Sequence, residues 1–146
     1  MFANEVASLQ RLAMFRDVDV PKLKLIALAG QRLHFGRGET ILRQGDRARA
    51  VFVMMEGEAE IMRSVDGPPV RLTTVGAGAL VGEMGVILDQ PYSSTIVALG
   101  PVTALQIDAT TFLELINQVP QLSMALIREL SRRLLTTSEL YAKAVS

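Results

Sequence analysis

Between residues 31 and 107 the chain is cut into strand-length runs, nearly all of them closed by a glycine-containing turn. This punctuation restricts the fold more than any other feature of the sequence. The runs fall at 31–35, 40–43, 51–55, 59–65, 70–75, 94–98 and 104–107. Gly36-Arg37-Gly38-Glu39, Gln44-Gly45-Asp46, Glu56-Gly57-Glu58, Asp66-Gly67-Pro68-Pro69 and Gly100-Pro101 supply turns, through the free backbone rotation of glycine and, in the last two, the fixed geometry of proline. The run at 51–55 is apolar throughout, whereas 59–65 alternates, with Met62 blurring its two faces. Short strands at this spacing predict a small β-sandwich or barrel of the jelly-roll type, also described as a double-stranded β-helix.

Helical periodicity brackets this region. Val6, Leu9, Leu12, Ala13 and Phe15 recur at helical spacing, with Asn4 as the expected N-cap. A second helix is expected after Asp19, with Pro21 at its first position and Gly30 as its stop. After residue 108 a short helix is expected at 109–116 with Asp108 as N-cap. Val119-Pro120 breaks it, and a long helix follows over 121–144 with Leu122, Leu126, Leu130 and Leu134 on one stripe. That stripe suits either packing on the chain's own sandwich or a seam between two copies. The expected organisation is a single domain over 1–146: N-terminal helices at 1–30, the jelly roll at 31–108 and C-terminal helices at 109–146.

Composition narrows the chemistry. With 146 residues the chain can bury one adequate core without staples. It has no cysteine, which excludes disulfides, zinc–thiolate sites and thiol catalysis. A single histidine, His34, argues against triads and histidine-rich metal sites. His34 is read as a strand-face residue between Leu33 and Phe35. Asp17, Asp19, Glu58 and Glu60 are read as solvated carboxylates, and the methionines at 54, 55, 62, 84 and 124 as core filler. Lysine and arginine balance aspartate and glutamate, so the simple electrostatic case for nucleic acid or an anionic membrane is absent. No basic, apolar leader opens the chain and no apolar run is of bilayer length, so a cytoplasmic location is expected.

One stretch, residues 80–96, carries candidate chemistry. It reads as an apolar entry, Gly82-Glu83-Met84-Gly85, one turn of helix former at Val86-Ile87-Leu88, a break at Asp89-Gln90-Pro91, then Tyr92-Ser93-Ser94-Thr95 entering a strand. A glycine leading into a short helix exposes backbone N–H groups that can hold a phosphate, and a glutamate there can accept from a sugar hydroxyl. The order of elements, the glycines of the turns at 36–39, 43–46 and 57, and this stretch together resemble cyclic nucleotide-binding domains. Arg132-Arg133-Leu134 and Thr136-Thr137-Ser138-Glu139 are similar to the long helix of bacterial catabolite activator proteins.

The resemblance implies roles for particular residues. Gly82, Glu83, Met84 and Gly85 would form the phosphate cassette, with Glu83 on the ribose 2′-hydroxyl. Ser93 and Ser94 would follow the cassette arginine, and Thr137 and Ser138 would face the purine. The family closes its cassette with Pro-Arg. Here Pro91 is present and Tyr92 fills the arginine's place. An arginine fork pairs with phosphate oxygens in a way one phenolic hydroxyl does not. A charge-assisted hydrogen bond contributes about 1.5–3 kcal/mol, or about 10–200-fold in affinity. From Gly76 through Ile127 there is no lysine or arginine at all. A replacement cation must come from the early strands, the terminal helix or a second subunit.

The implied function is therefore a non-enzymatic regulatory domain, a sensor or interaction module, with cAMP or cGMP as candidate ligand and nucleotide binding weakened or altered. The alternative is a working cAMP or cGMP sensor that holds the phosphate with hydroxyls, helix amides or a distant arginine. A remoter one is a cupin-like enzyme, disfavoured by the single histidine. The resemblance further implies closure of the long helix over ligand, with Ile87 and Leu88 as hinge contacts. It also implies a protein effector and a homodimer through that helix. A DNA-binding helix-turn-helix would lie beyond residue 146 in the activator family, so nucleic-acid reading by this chain alone is not expected.

Overall fold

The computed structural model describes residues 2–146, leaving out the side chains of residues 2–4 and 13. Two four-stranded antiparallel sheets face each other. β1 (Gln31–Phe35), β8 (Val102–Asp108), β3 (Ala50–Glu56) and β6 (Leu80–Val81) form one in that order; β2 (Thr40–Leu42), β7 (Thr95–Ala98), β4 (Ala59–Arg63) and β5 (Val70–Val75) form the other. Helices α1 (Phe2–Gln10), α2 (Val20–Ala29), α4 (Ala109–Gln118) and α5 (Pro120–Val145) flank the sandwich, and α3 (Glu83–Leu88) is inserted between β6 and β7. The jelly-roll expectation holds, and the strand it lacked is the two-residue β6, too short to leave a periodic signal.

Sheet burial explains the apolar run at 51–55. Ala50, Phe52 and Met54 point between the sheets, into a core with Leu42, Val81, Tyr92, Ile96 and Ala104. Val51 and Val53 point the other way, against Leu9, Leu23, Ile26, Phe112, Leu122 and Leu126 of the helices. A strand covered on both faces has no polar face to show. Met62 blurs the alternation of β4 for a different reason. The β4–β5 register shifts between Ile61 and Met62, which pair with Thr73 and Arg71 across a bulge.

The helix ends follow the capping chemistry with corrections. Asp108 Oδ1 accepts from the Thr111 N–H at 2.9 Å, as its N-cap position requires. This holds its carboxyl below the usual carboxylate range. Asp108→Ala should lower stability by about 1 kcal/mol, measurable by urea unfolding; a variant within a few tenths of wild type would contradict the cap's role. Helix α1 begins at Phe2, ahead of Asn4, whose capping side chain lies outside the described residues. Val20, not Pro21, is the first residue of α2, so the proline sits at the second position.

The leucine stripe on α5 divides. Leu122 and Leu126 are buried against the sandwich and Leu130 packs at its margin, but Leu134 is 68% exposed. Beyond it Leu135, Leu140 and Tyr141 are also exposed. Of the methionines, Met54 is core, as is Met14, which the sequence reading did not single out. Met84 and Met124 are exposed because the outer faces of α3 and α5 carry them away from the sandwich. Among the described residues the Asp17 and Asp19 carboxylates make only surface ion pairs, with Arg128 and Lys22. His34 Nδ1 lies 3.2 Å from Thr103 Oγ1 on the β1–β8 pair. No helix among the described residues is long and apolar enough to cross a membrane.

Candidate functional site

A cavity of about 400 Å³ opens where α3, the residues after it, β5 and α5 meet. Its wall includes Gly82, Glu83, Met84, Gly85, Tyr92, Ser93 and Ser94, so seven of the residues singled out in the sequence come together. Thr137 and Ser138 do not join them. The lining on α5 ends at Arg133, and both residues stand beyond it on exposed helix, with Thr137 Oγ1 donating to the Arg133 carbonyl at 2.9 Å.

The two glycines are fixed by geometry. Gly82, the residue before α3, has φ +85°, and a Cβ there would meet the Ala50 carbonyl oxygen and Tyr92 Cε1, each at 3.1 Å. Both the left-handed backbone and the close approach favour glycine. Gly85 lies inside the helix, where a Cβ would stand 2.8 Å from Ala48 Cβ. It lets α3 lie against the loop before β3. Val86 packs inward while Ile87 and Leu88, the expected hinge contacts, are exposed.

Glu83 is only 3% exposed. Burial raises its pKa, and the adjacent Arg133 guanidinium pulls the other way without cancelling that effect. Arg133 comes from α5, 50 residues along the chain. It pairs with the Glu83 carboxylate through Nη1 and donates from Nη2 to the Leu80 carbonyl at 2.9 Å. Glu129 Oε1, one turn earlier, lies 3.4 Å from its Nε. Among the described residues Arg133 is thus the one cation on the cavity wall, set between two carboxylates. Sequence reasoning located the terminal helix as a source of cations but missed Glu129 and Arg133 as site residues. Their i, i+4 spacing signals a pair on one helix face, but not its place at the cavity.

Tyr92 is tied to the backbone of β3. Its ring is buried, and its hydroxyl donates to the Ala50 carbonyl at 2.6 Å and accepts from the Ala50 N–H at 3.2 Å. Strand β6 pairs only with Phe52 and Val53 of β3. Ala50 lies past the end of that short partner, so the phenol supplies the ladder bonds that β6 does not reach. Burial raises the Tyr92 pKa. The backbone of Tyr92 is also tied down: its N–H donates to the Asp46 carbonyl at 2.9 Å, and its carbonyl accepts from Gly45 at 3.0 Å.

The sequence profile described as cyclic nucleotide-binding domain matches residues 32–119. The chain belongs to the cyclic nucleotide-binding domain family. It is 27% identical over 131 residues to a CRP-like cAMP-activated global transcriptional regulator of Mycobacterium tuberculosis, covering 89% of this chain and 58% of the relative. Acetyltransferase Pat of Mycolicibacterium smegmatis is 30% identical over 129 residues, 88% of this chain and 38% of that one. Among solved structures, the Thermus thermophilus catabolite activator protein superposes with a TM-score of 0.79. It is 26% identical, with 91% of this chain and 62% of that one covered. The chain therefore spans less than two thirds of each of these proteins. The relatives include both transcriptional regulators and an acetyltransferase, and what the family members share with this chain is the nucleotide-binding fold.

Proposed function

We propose that the chain is a regulatory sensor or interaction domain whose cassette cavity binds cyclic nucleotide weakly or with altered preference. The observation that carries this reading is the state of Arg133. Its guanidinium is occupied by Glu83 and the Leu80 carbonyl, and Glu129 lies beside it. Among the described residues, a phosphodiester entering the cavity meets two carboxylates and no unengaged cation. Tyr92 offers no compensation, because its hydroxyl is spent on Ala50. The exposed apolar positions Leu134, Leu140 and Tyr141 on α5 suit a homodimer or an effector contact.

A second reading, a working cAMP or cGMP sensor, is favoured by one feature. Arg133 is the distant arginine such a sensor needs, and Ser93 and Ser94 are at hand on the same wall. A ribose hydroxyl replacing Arg133 at Glu83 would free the guanidinium for phosphate. Calorimetric titration with cAMP and cGMP, on wild type and Tyr92→Arg together, separates the two. The proposed reading expects no measurable heat from wild type below about millimolar nucleotide, and at least about ten-fold tighter binding in Tyr92→Arg. Micromolar binding by wild type would establish the sensor instead.

A further inference from the structure

Behind Tyr92 lies a second cavity, also of about 400 Å³, that the nucleotide reading does not use. Its floor is apolar: Ile41, Leu42, Ala50 and Phe52 are all buried core residues. Its rim is cationic. Arg43, Arg47 and Arg49 line it, and among the described residues none of their guanidinium groups has an ion-pair or hydrogen-bond partner. One carboxylate, Asp46, and the amide of Gln106 complete the polar lining.

Three guanidiniums within seven residues repel one another, so their convergence on one opening is not a stabilising feature of the fold. The loop that carries them is nevertheless fixed at several points. The Gln44 N–H donates to Thr95 Oγ1 at 2.9 Å, Gly45 and Asp46 bond to the Tyr92 backbone, and the Arg49 carbonyl accepts from Ala109 at 2.7 Å. The backbone that carries the rim is therefore held in place over the apolar floor without help from a ligand. Closely set guanidiniums over a concave apolar surface of this volume match a small anion with an apolar body.

We propose that this cavity binds a small organic anion, its phosphate or carboxylate on the Arg43–Arg47–Arg49 rim and its apolar body on Phe52, Ile41 and Leu42. The site is separate from the cassette cavity, and the inference does not rest on nucleotide binding there. The two cavities share Leu42 and Tyr92 in their walls, so an occupant of the second touches the side chain that anchors the cassette loop.

The test is an amide NMR titration of the whole chain with phenyl phosphate, inorganic phosphate, phenol and a hexaglutamate peptide. Phenyl phosphate is expected to give saturable shifts at residues 41–52, 92 and 106. It should bind at least about five-fold more tightly than inorganic phosphate, with no saturation by phenol. Arg47→Gln and Arg49→Gln are exposed substitutions and should each weaken phenyl phosphate by about ten-fold, while Arg49→Lys should weaken it less. The inference is overturned by shifts centred on 82–85 and 133, by affinity unchanged in the glutamine variants, or by equal affinity for inorganic phosphate. Tighter binding of hexaglutamate would also overturn it, marking the rim as a surface for acidic chains.

Discussion

Arg133→Met is expected to destabilise the folded chain by about 2–4 kcal/mol, a fall in Tm of about 5–15 °C. Glu83 is nearly fully buried and Arg133 bridges it to the Leu80 carbonyl. Removing the guanidinium leaves a carboxylate with no countercharge in a low-dielectric site, the costlier half of breaking such a pair. The side chain of Arg133 is 40% exposed, so solvent screens part of the interaction and the lower end of the range is favoured. Glu83→Gln should cost less, since a neutral amide carries no ionic desolvation penalty. The double variant should be more stable than Arg133→Met alone. Chemical denaturation of the three variants decides the matter, and an Arg133→Met chain within 0.5 kcal/mol of wild type would remove the pair from any structural role.

The same pair fixes a pH dependence. Burial raises the Glu83 pKa above its ordinary value of 4.5, so between those two values the folded chain holds more protons than the unfolded one. Stability contributed by this group therefore rises as pH falls through its folded pKa and is complete below 4.5. Asp108 acts in the opposite sense. Its lowered pKa gives stability that is present above 3.8 and lost as pH falls further. Glu83→Gln should flatten the first slope and leave the second, a comparison open to urea titrations at a series of pH values.

How legible this arrangement is in the sequence depends on the range of each interaction. The turns, the strand runs and the Asp108 cap are local, and each was readable from a few neighbouring residues. The apolar run at 51–55 signalled a strand but not its two-sided burial, because that requires helices from both ends of the chain. The β4–β5 bulge showed only as an odd methionine. Gly82, Glu83, Gly85, Ser93 and Ser94 were found because they are close together in the chain. Glu129 and Arg133 were missed as cavity residues because the 50 residues between Glu83 and Arg133 carry no signal of their contact. Local reading also treated Tyr92 as a lost arginine. Only the end of β6, two residues short of Ala50, reveals what the phenol does instead.

Tyr92→Phe removes a single oxygen, yet it is expected to cost about 1–3 kcal/mol, because it strands both backbone groups of Ala50 in a buried place. Equilibrium unfolding should record a Tm lower by about 3–10 °C. The alkaline limb supplies a readout that lost packing would not move. Burial raises the Tyr92 pKa above 10.0, so the folded chain keeps the phenolic proton where the unfolded chain releases it, and stability falls as pH rises through that interval. The phenylalanine variant should lack this contribution to the slope; identical alkaline slopes in the two proteins would show that the hydroxyl does not hold β3. The consequence for function is direct. Tyr92→Arg gains a cation for phosphate but gives up the same two bonds to Ala50, so any gain in nucleotide affinity should come with a loss of stability at least as large as that of Tyr92→Phe. An arginine variant that bound nucleotide tightly while keeping wild-type stability would mean that the phenol's bonds to Ala50 are dispensable, and that the cassette could be recharged without cost to the sandwich.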